Sequence, residues 1–240
     1  MTPGSVTPGP VTPVDATPGD ATGPVVGFDL DMTLVDSSAG IAATLQAALA
    51  EVGVEITPEQ VWPTIGVPLG VALETIAPQV DRAAVVARYR ELYPRTGVPS
   101  TTLLPGAAEA FQAVHARGGR VLVVSTKVES AVRAVLRHVG LDGGDSGADE
   151  VAGGLFAAEK GVRLVAARAD AYVGDHPGDI EAAQVAGAAA VAVATGPHTA
   201  AQLAACGADV VLDDLTGFPG WLADFEAARA GQEVAGPAGS

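Results

Sequence analysis

Two carboxylates two residues apart, Asp29 and Asp31 in Asp29-Leu30-Asp31-Met32-Thr33, follow the apolar run Val25-Val26-Gly27-Phe28. In an extended segment alternate side chains share a face, so the pair projects the same way, roughly 6 to 7 Å apart. A phosphoryl group and a metal ion fit such a pair. Two ionised carboxylates that close repel, so they persist beside a cation or with one of them protonated. As a pattern Asp-x-Asp-x-Thr is short and carries little alone. Its position at the end of an apolar run gives it weight.

A second acidic group lies in Val173-Gly174-Asp175-His176-Pro177-Gly178-Asp179, with one acid at a strand end and another four residues on, at a helix start. An acid near a helix N-terminus also stabilises the helix with no ligand at all, which is the plain alternative for Asp179. Ser125 and Thr126 end a further apolar run and offer hydroxyls to phosphate oxygens. Lysine is used sparingly: only Lys127 and Lys160 occur among the 13 basic residues. Either fits phosphate and nucleophile neutralisation, with Lys160 the first choice. Hard oxygen donors of this kind suit Mg²⁺, and nothing resembles a His- or Cys-rich zinc site.

These residues must be held by a framework, and the chain alternates strand and helix patterns. Strands are expected at 25–28, 120–125, near 151, and at 171–174, 190–194 and 209–212. Helices are expected at 41–52, from Pro58 behind the Thr57 cap, and at 69–77 and 81–93, the last two closed by Pro78 and Pro94. Further helices are expected at 106–116, 128–139, 159–168 and 179–186. Alternation of this kind implies an α/β fold, a Rossmann-like doubly wound parallel sheet covered on both faces. Ligands bind such sheets beyond the carboxyl ends of the strands, where Asp29, Ser125 and Asp175 fall.

From Asp31 to Val121 is far more chain than one crossover needs. Residues 38–101, helical throughout, therefore read as an inserted α-helical cap beside the Asp pair. The core is then 25–37 and 102–228. Residues 1–24, in Thr-Pro-Gly pentads, read as a disordered tail, and 229–240 as a flexible one. Trp62, Tyr89 and Tyr93 could line a pocket, with core packing the commoner explanation for such residues.

The chain has 240 residues, 48% of them hydrophobic, enough to bury a full core. A formal charge of −15 without a basic patch opposes nucleic-acid and anionic-membrane partners. Cys206 is the single cysteine, so no internal disulfide forms. With neither a signal-peptide pattern nor a membrane-length apolar run, a cytoplasmic setting is expected. Oligomeric state leaves no signature.

The ordered motifs resemble the haloacid dehalogenase (HAD) superfamily of aspartate-nucleophile phosphatases: Asp29-x-Asp31-x-Thr33 its first motif, Ser125 its second, Lys160 its third, Gly174-Asp175 with Asp179 its fourth. The cap is similar to that of the phosphoglycolate phosphatase and β-phosphoglucomutase branch, with Gly66-Val67-Pro68-Leu69 as its substrate-facing turn. Met32 stands where the family commonly has glycine, and Gly161 where it has proline.

The resemblance implies a Mg²⁺-dependent phosphatase of a small phosphorylated metabolite, phosphoglycolate-like or a sugar phosphate, acting through an aspartyl-phosphate. Asp29 is then the nucleophile and Asp31 the general acid and base, with Thr33 orienting Asp31. Ser125, Thr126 and a lysine, Lys160 or Lys127, hold the phosphate. Asp29, Asp175, Asp179 and the Asp31 carbonyl hold the metal. A phosphomutase using the same intermediate is the alternative, and a non-catalytic binding protein on this fold is a third.

Overall fold

The computed structural model describes residues 23–144 and 146–234. The tail expected at 1–24 lies outside them except for Gly23 and Pro24, and residues 235–240 lie outside as well. Six parallel strands form one sheet in the order β5-β4-β1-β6-β7-β8: β1 Val25–Phe28, β4 Arg120–Ser125, β5 Glu150–Gly153, β6 Ala171–Gly174, β7 Ala189–Val193 and β8 Val210–Leu212. The chain lays down β1, moves outward through β4 to β5, then returns to the other side of β1 for β6, β7 and β8. That reversal makes β1 the switch point, with β4 and β6 as its neighbours.

The period-2 alternation of β1 sends its side chains to two separate cores. Val26 and Phe28 join the larger one, where the Phe28 ring meets Phe111 and Phe218 at centroid distances of 5.3 and 5.2 Å. These come from α5 (Ala107–His115) and α10 (Phe218–Val234), while α6 (Glu129–Val139) adds Val132, Val135 and Leu136. Val25 faces the second core, with Leu164 of α7 (Ala158–Ala167), Ile180 of α8 (Pro177–Ala186) and Leu203 of α9 (Ala200–Ala205). Gly27 lies between: a Cβ there would stand 2.7 Å from Leu164 and from the Tyr172 ring. Glycine thus lets α7 settle close against β1.

Residues 38–101 add no strand to this sheet. They carry α1 (Ser38–Ala50), α2 (Pro58–Val61), α3 (Leu69–Ile76) and α4 (Arg82–Thr96). At their root two short strands, β2 (Val35–Asp36) and β3 (Thr102–Leu103), pair antiparallel. With two residues each, β2 and β3 have no periodicity to read in the sequence. Thr57 and Gln60 form the expected capping box, but its helix lasts one turn before a 3₁₀ segment over Trp62–Thr64. Pro94 does not close α4, which runs on to Thr96 with the proline inside it. Proline costs a helix its own N–H bond but leaves the following residues helical φ/ψ, so near a C-terminus the loss is small.

The other correction concerns the end of the chain. Residues 229–234, expected to be loose, continue α10, and Arg229 is ion-paired with Asp170. Trp221 and Phe225, stacked at 5.0 Å, pack the same helix against the larger core. No described helix is long and apolar enough to cross a membrane.

Candidate active site

Three adjacent strands, β4, β1 and β6, end on the same edge and deliver Ser125, Asp29 and Asp175 there. Asp179 arrives from the first turn of α8, capped by His176 with Pro177 at the first helical position. Oxygens of Asp29, Asp175 and Asp179 lie within 4.8 Å of one another, all three residues buried. Two glycines make room. A Cβ on Gly174 would stand 2.3 Å from an Asp179 oxygen, and one on Gly196 would overlap Asp175 Oδ2 at 1.8 Å.

Lys160, at the start of α7 and 2% exposed, donates to Asp29 Oδ1 and Asp179 Oδ1, each at 2.7 Å. One ammonium faces three carboxylates. Burial pushes the Asp29 carboxyl up to about 7; Lys160 opposes that rise, while Asp179 and Asp31 add to it. Burial, with Asp29 and Asp179 nearby, holds Asp175 well above the usual range against a hydrogen bond from Thr33 and the Lys160 charge. Its second oxygen, Oδ2, is buried with no hydrogen-bond partner. A buried, unpartnered carboxylate oxygen on a member of an acid cluster with excess negative charge is what a divalent cation would satisfy. The residues present therefore fit a hard, oxygen-ligated ion.

Asp31 belongs to a different group. Its carboxylate accepts from Lys127 Nζ at 2.7 Å on both oxygens and from Ser37 Oγ at 2.5 Å, and it is not one of the three clustered acids. Lys127 in turn lies 4.8 Å from the centre of the Tyr93 ring. The two lysines thus divide between the two aspartates.

Thr33 departs from its expected role: its hydroxyl donates to Asp175 Oδ1 at 2.9 Å, not to Asp31. Ser37, at the root of the inserted helices, holds Asp31 instead. A lone serine has no spacing signal, so only the fold reveals it. Met32, in place of a glycine, sits at φ 58° and keeps the left-handed turn that the glycine would make easy. Its carbonyl accepts from Thr195 Oγ1 at 2.5 Å, tying the loop after β7 to the first Asp pair.

Ser125 is buried, and its Oγ accepts the Lys127 N–H at 3.2 Å, which leaves its own proton to donate elsewhere. Thr126 spends its hydroxyl proton on the Gly66 carbonyl at 3.0 Å, joining the core to the inserted helices. His176, legible in the sequence only as a loop residue, lies beneath the same turn: a Gly66 Cβ would stand 3.1 Å from its ring. Its other neighbours are His198 at 4.8 Å and Phe156 at 5.7 Å. Gly161 has a packing reason, because a Cβ there would stand 2.6 Å from Val185 of α8.

A cavity of about 550 Å³ opens from Asp29 and Asp31 between the strand ends and the inserted helices. The turn Gly66-Val67-Pro68-Leu69 lines it, as do Tyr89 and Tyr93, which are buried yet face this space. Trp62 is 38% exposed and lies outside it.

Residues 26–144 match the family described as haloacid dehalogenase-like hydrolase, and residues 144–218 the one described as HAD-hydrolase-like. The chain belongs to the haloacid dehalogenase-like hydrolases, and its relatives group it with the phosphatases of that family. The protein named "Probable phosphatase IndB" of Dickeya dadantii is 33% identical over 205 residues, 79% of this chain and 89% of that one. The phosphoglycolate phosphatase of Rhodospirillum rubrum is 31% identical over 217 residues, 81% of this chain and 89% of that one. In fold the chain is similar to a haloacid dehalogenase-like hydrolase from Streptococcus pneumoniae, with a TM-score of 0.73, 21% identity, and 82% of this chain and 97% of that one covered.

Proposed function

We propose that this chain is a Mg²⁺-dependent phosphatase of small phosphomonoesters, working through an aspartyl-phosphate on Asp29, with residues 38–101 as its cap. The carrying observation is the division of labour at the strand ends: Asp29 beside Asp175, Asp179 and Lys160, and Asp31 apart from them on Lys127 and Ser37. A nucleophile and a proton carrier are needed at the same phosphorus but in different electrostatic settings.

An Asp29 oxygen attacks phosphorus in line, and the bond to the leaving oxygen breaks as Asp31 passes it a proton. Asp31 then takes a proton from water, which attacks the same phosphorus and releases inorganic phosphate and the free Asp29 carboxylate. Lys160 keeps Asp29 and Asp179 aligned and offsets charge near the nucleophile. Ser125 donates to a phosphate oxygen, and Lys127 holds Asp31 and is placed to meet another. Thr33 fixes the Asp175 carboxylate through Oδ1 and leaves Oδ2 free. Asp29, Asp175 and Asp179 would hold the ion, with the Asp31 carbonyl a further donor by family resemblance. Such an ion supplies Lewis-acid charge to the phosphoryl oxygens when bound. The single exposed cysteine, Cys206, accords with a reducing cytoplasm.

The test is phosphate release from a panel of small phosphomonoesters with Mg²⁺ and with chelator, repeated with Asp29→Asn. We expect Mg²⁺-dependent release that falls at least a thousandfold in the variant while its fold is retained by circular dichroism. Undiminished turnover by Asp29→Asn would falsify the covalent step.

A further inference from the structure

The cavity beyond the strand ends does not have the lining that a small, polar leaving group calls for. Away from the acids and Ser125, its wall is built from Ile41, Leu45, Val61, Val67 and Val86, with Phe156 and the rings of Tyr89 and Tyr93, stacked at 5.4 Å, as its aromatic part. Among the polar side chains described there, the buried Tyr93 hydroxyl alone has no hydrogen-bond partner; the others are occupied or face water. Thr64 Oγ1 donates to the Val61 carbonyl at 2.8 Å, and Glu159 accepts from the Phe156 N–H at 3.1 Å. Arg90 and Ser130 are exposed. The Gly66 carbonyl is taken by Thr126, and both lysines are paired with aspartates.

A sugar in this space would find the Tyr93 hydroxyl but would bury most of its own hydroxyls without partners, which is unfavourable. A glycolate would meet neither of the paired lysines freely, and it would leave most of the apolar wall wet. A volume of about 550 Å³ falls among cavities that enclose ligands of drug size. We infer that the substrate is the phosphomonoester of a bulky apolar alcohol, aromatic or branched, whose body fills this cavity while its phosphate reaches Asp29. The inference rests on the phosphatase reading and names the substrate class of that same site. In the reaction the alcohol leaves with the proton from Asp31, and water supplies the oxygen that completes inorganic phosphate.

Three primary-alkyl esters separate the possibilities: 2-naphthylmethyl phosphate, 2-phosphoglycolate and glucose 6-phosphate, each assayed for kcat/KM with the full chain and Mg²⁺. The naphthylmethyl ester is expected to exceed the other two at least tenfold. Equal or better use of phosphoglycolate or glucose 6-phosphate overturns the inference and leaves the phosphatase standing. Binding gives a readout independent of turnover: by titration calorimetry with Mg²⁺, naphthylmethylphosphonate should bind at least tenfold tighter than methylphosphonate. No turnover of any ester, with that binding preference intact, sinks the phosphatase reading and keeps the preference of the cavity. Equal binding of the two phosphonates sinks the inference. Val67→Asp, at a half-buried position of the wall, should cut the naphthylmethyl-to-glycolate ratio at least fivefold, and an unchanged ratio counts against it.

Discussion

The strand-end cluster and the cavity wall, a few residues apart in space, are built on opposite principles. At the strand ends the carboxylates are each held by a named partner: Asp29 and Asp179 by Lys160, Asp31 by Lys127 and Ser37, Asp175 by Thr33, with Asp175 Oδ2 buried and unpartnered. On the wall, apolar surface dominates, and Thr126 to Gly66 is its hydrogen bond to the core edge. Groups that react must be held within tenths of an ångström by neighbours that are themselves held. A surface that selects by shape and apolarity needs no such network. In the proposed function, chemistry therefore belongs to the strand termini and selection to the inserted helical segment.

That contrast can be broken most severely at Asp31. Asp31→Asn should lower kcat about 10²–10⁴-fold, the usual worth of a positioned proton carrier, while Mg²⁺ and phosphonate binding persist. A variant that lost binding and rate together would mean that Asp31 serves the cluster as well.

Lys160 tests how far the cluster is over-determined. Lys160→Met leaves Asp29 and Asp179 buried without their cation. Breaking a buried pair in this way costs about 3–5 kcal/mol, to be read from urea denaturation without metal. Mg²⁺ should restore part of the loss. Unchanged stability in the metal-free variant would refute the assignment of Lys160 as the charge that holds the cluster together.

The pH dependence of the metal-free protein sharpens the same point. Asp29 ionises near 3.8 when unexposed to the fold and at about 7 within it. The folded chain therefore holds the proton in the window where the unfolded chain has lost it. The resulting stabilisation is complete below pH 3.8 and is lost as pH rises through about 7. Thermal melts should show the metal-free midpoint falling across that window, and the gain from Mg²⁺ larger at pH 8 than at pH 5. A Mg²⁺ gain independent of pH would contradict proton and metal competing for Asp29.

The smallest effect belongs to the seam between the two regions. Thr126→Val removes the hydrogen bond to Gly66 with little change in shape, worth about 1 kcal/mol. KM should rise a few-fold with kcat nearly constant. A kcat loss as large as that of Asp31→Asn would assign Thr126 to the chemistry.

Much of the site was legible because strand-end acids leave a signal of their own, an apolar run broken by a carboxylate. Asp29 and Asp175 stand out for that reason, and Lys160 because lysine is scarce in this chain. Ser37, Thr195 and Gly196 leave no such trace, since each matters through a partner more than 20 residues away or, for Ser37, through a turn that only the paired β2 and β3 create. Thr33 was visible but its partner was not. The family resemblance implied Asp31, yet past the turn at Met32 the hydroxyl meets Asp175. The continuation of α10 past Arg229 was hidden as well, because its glycine-containing composition reads as loose until Arg229 meets Asp170.

The order of residues alone determined the alternation of strands and helices, the insertion after the first strand and the kinds of side chain at the strand ends. These follow from local periodicity and from the side-chain chemistry of short motifs. Only the tertiary structure decided which lysine serves which aspartate, which oxygen of Asp175 stays without a partner, and how apolar the cavity beyond them is. Those properties depend on distances between segments remote in the chain, and no local pattern carries them.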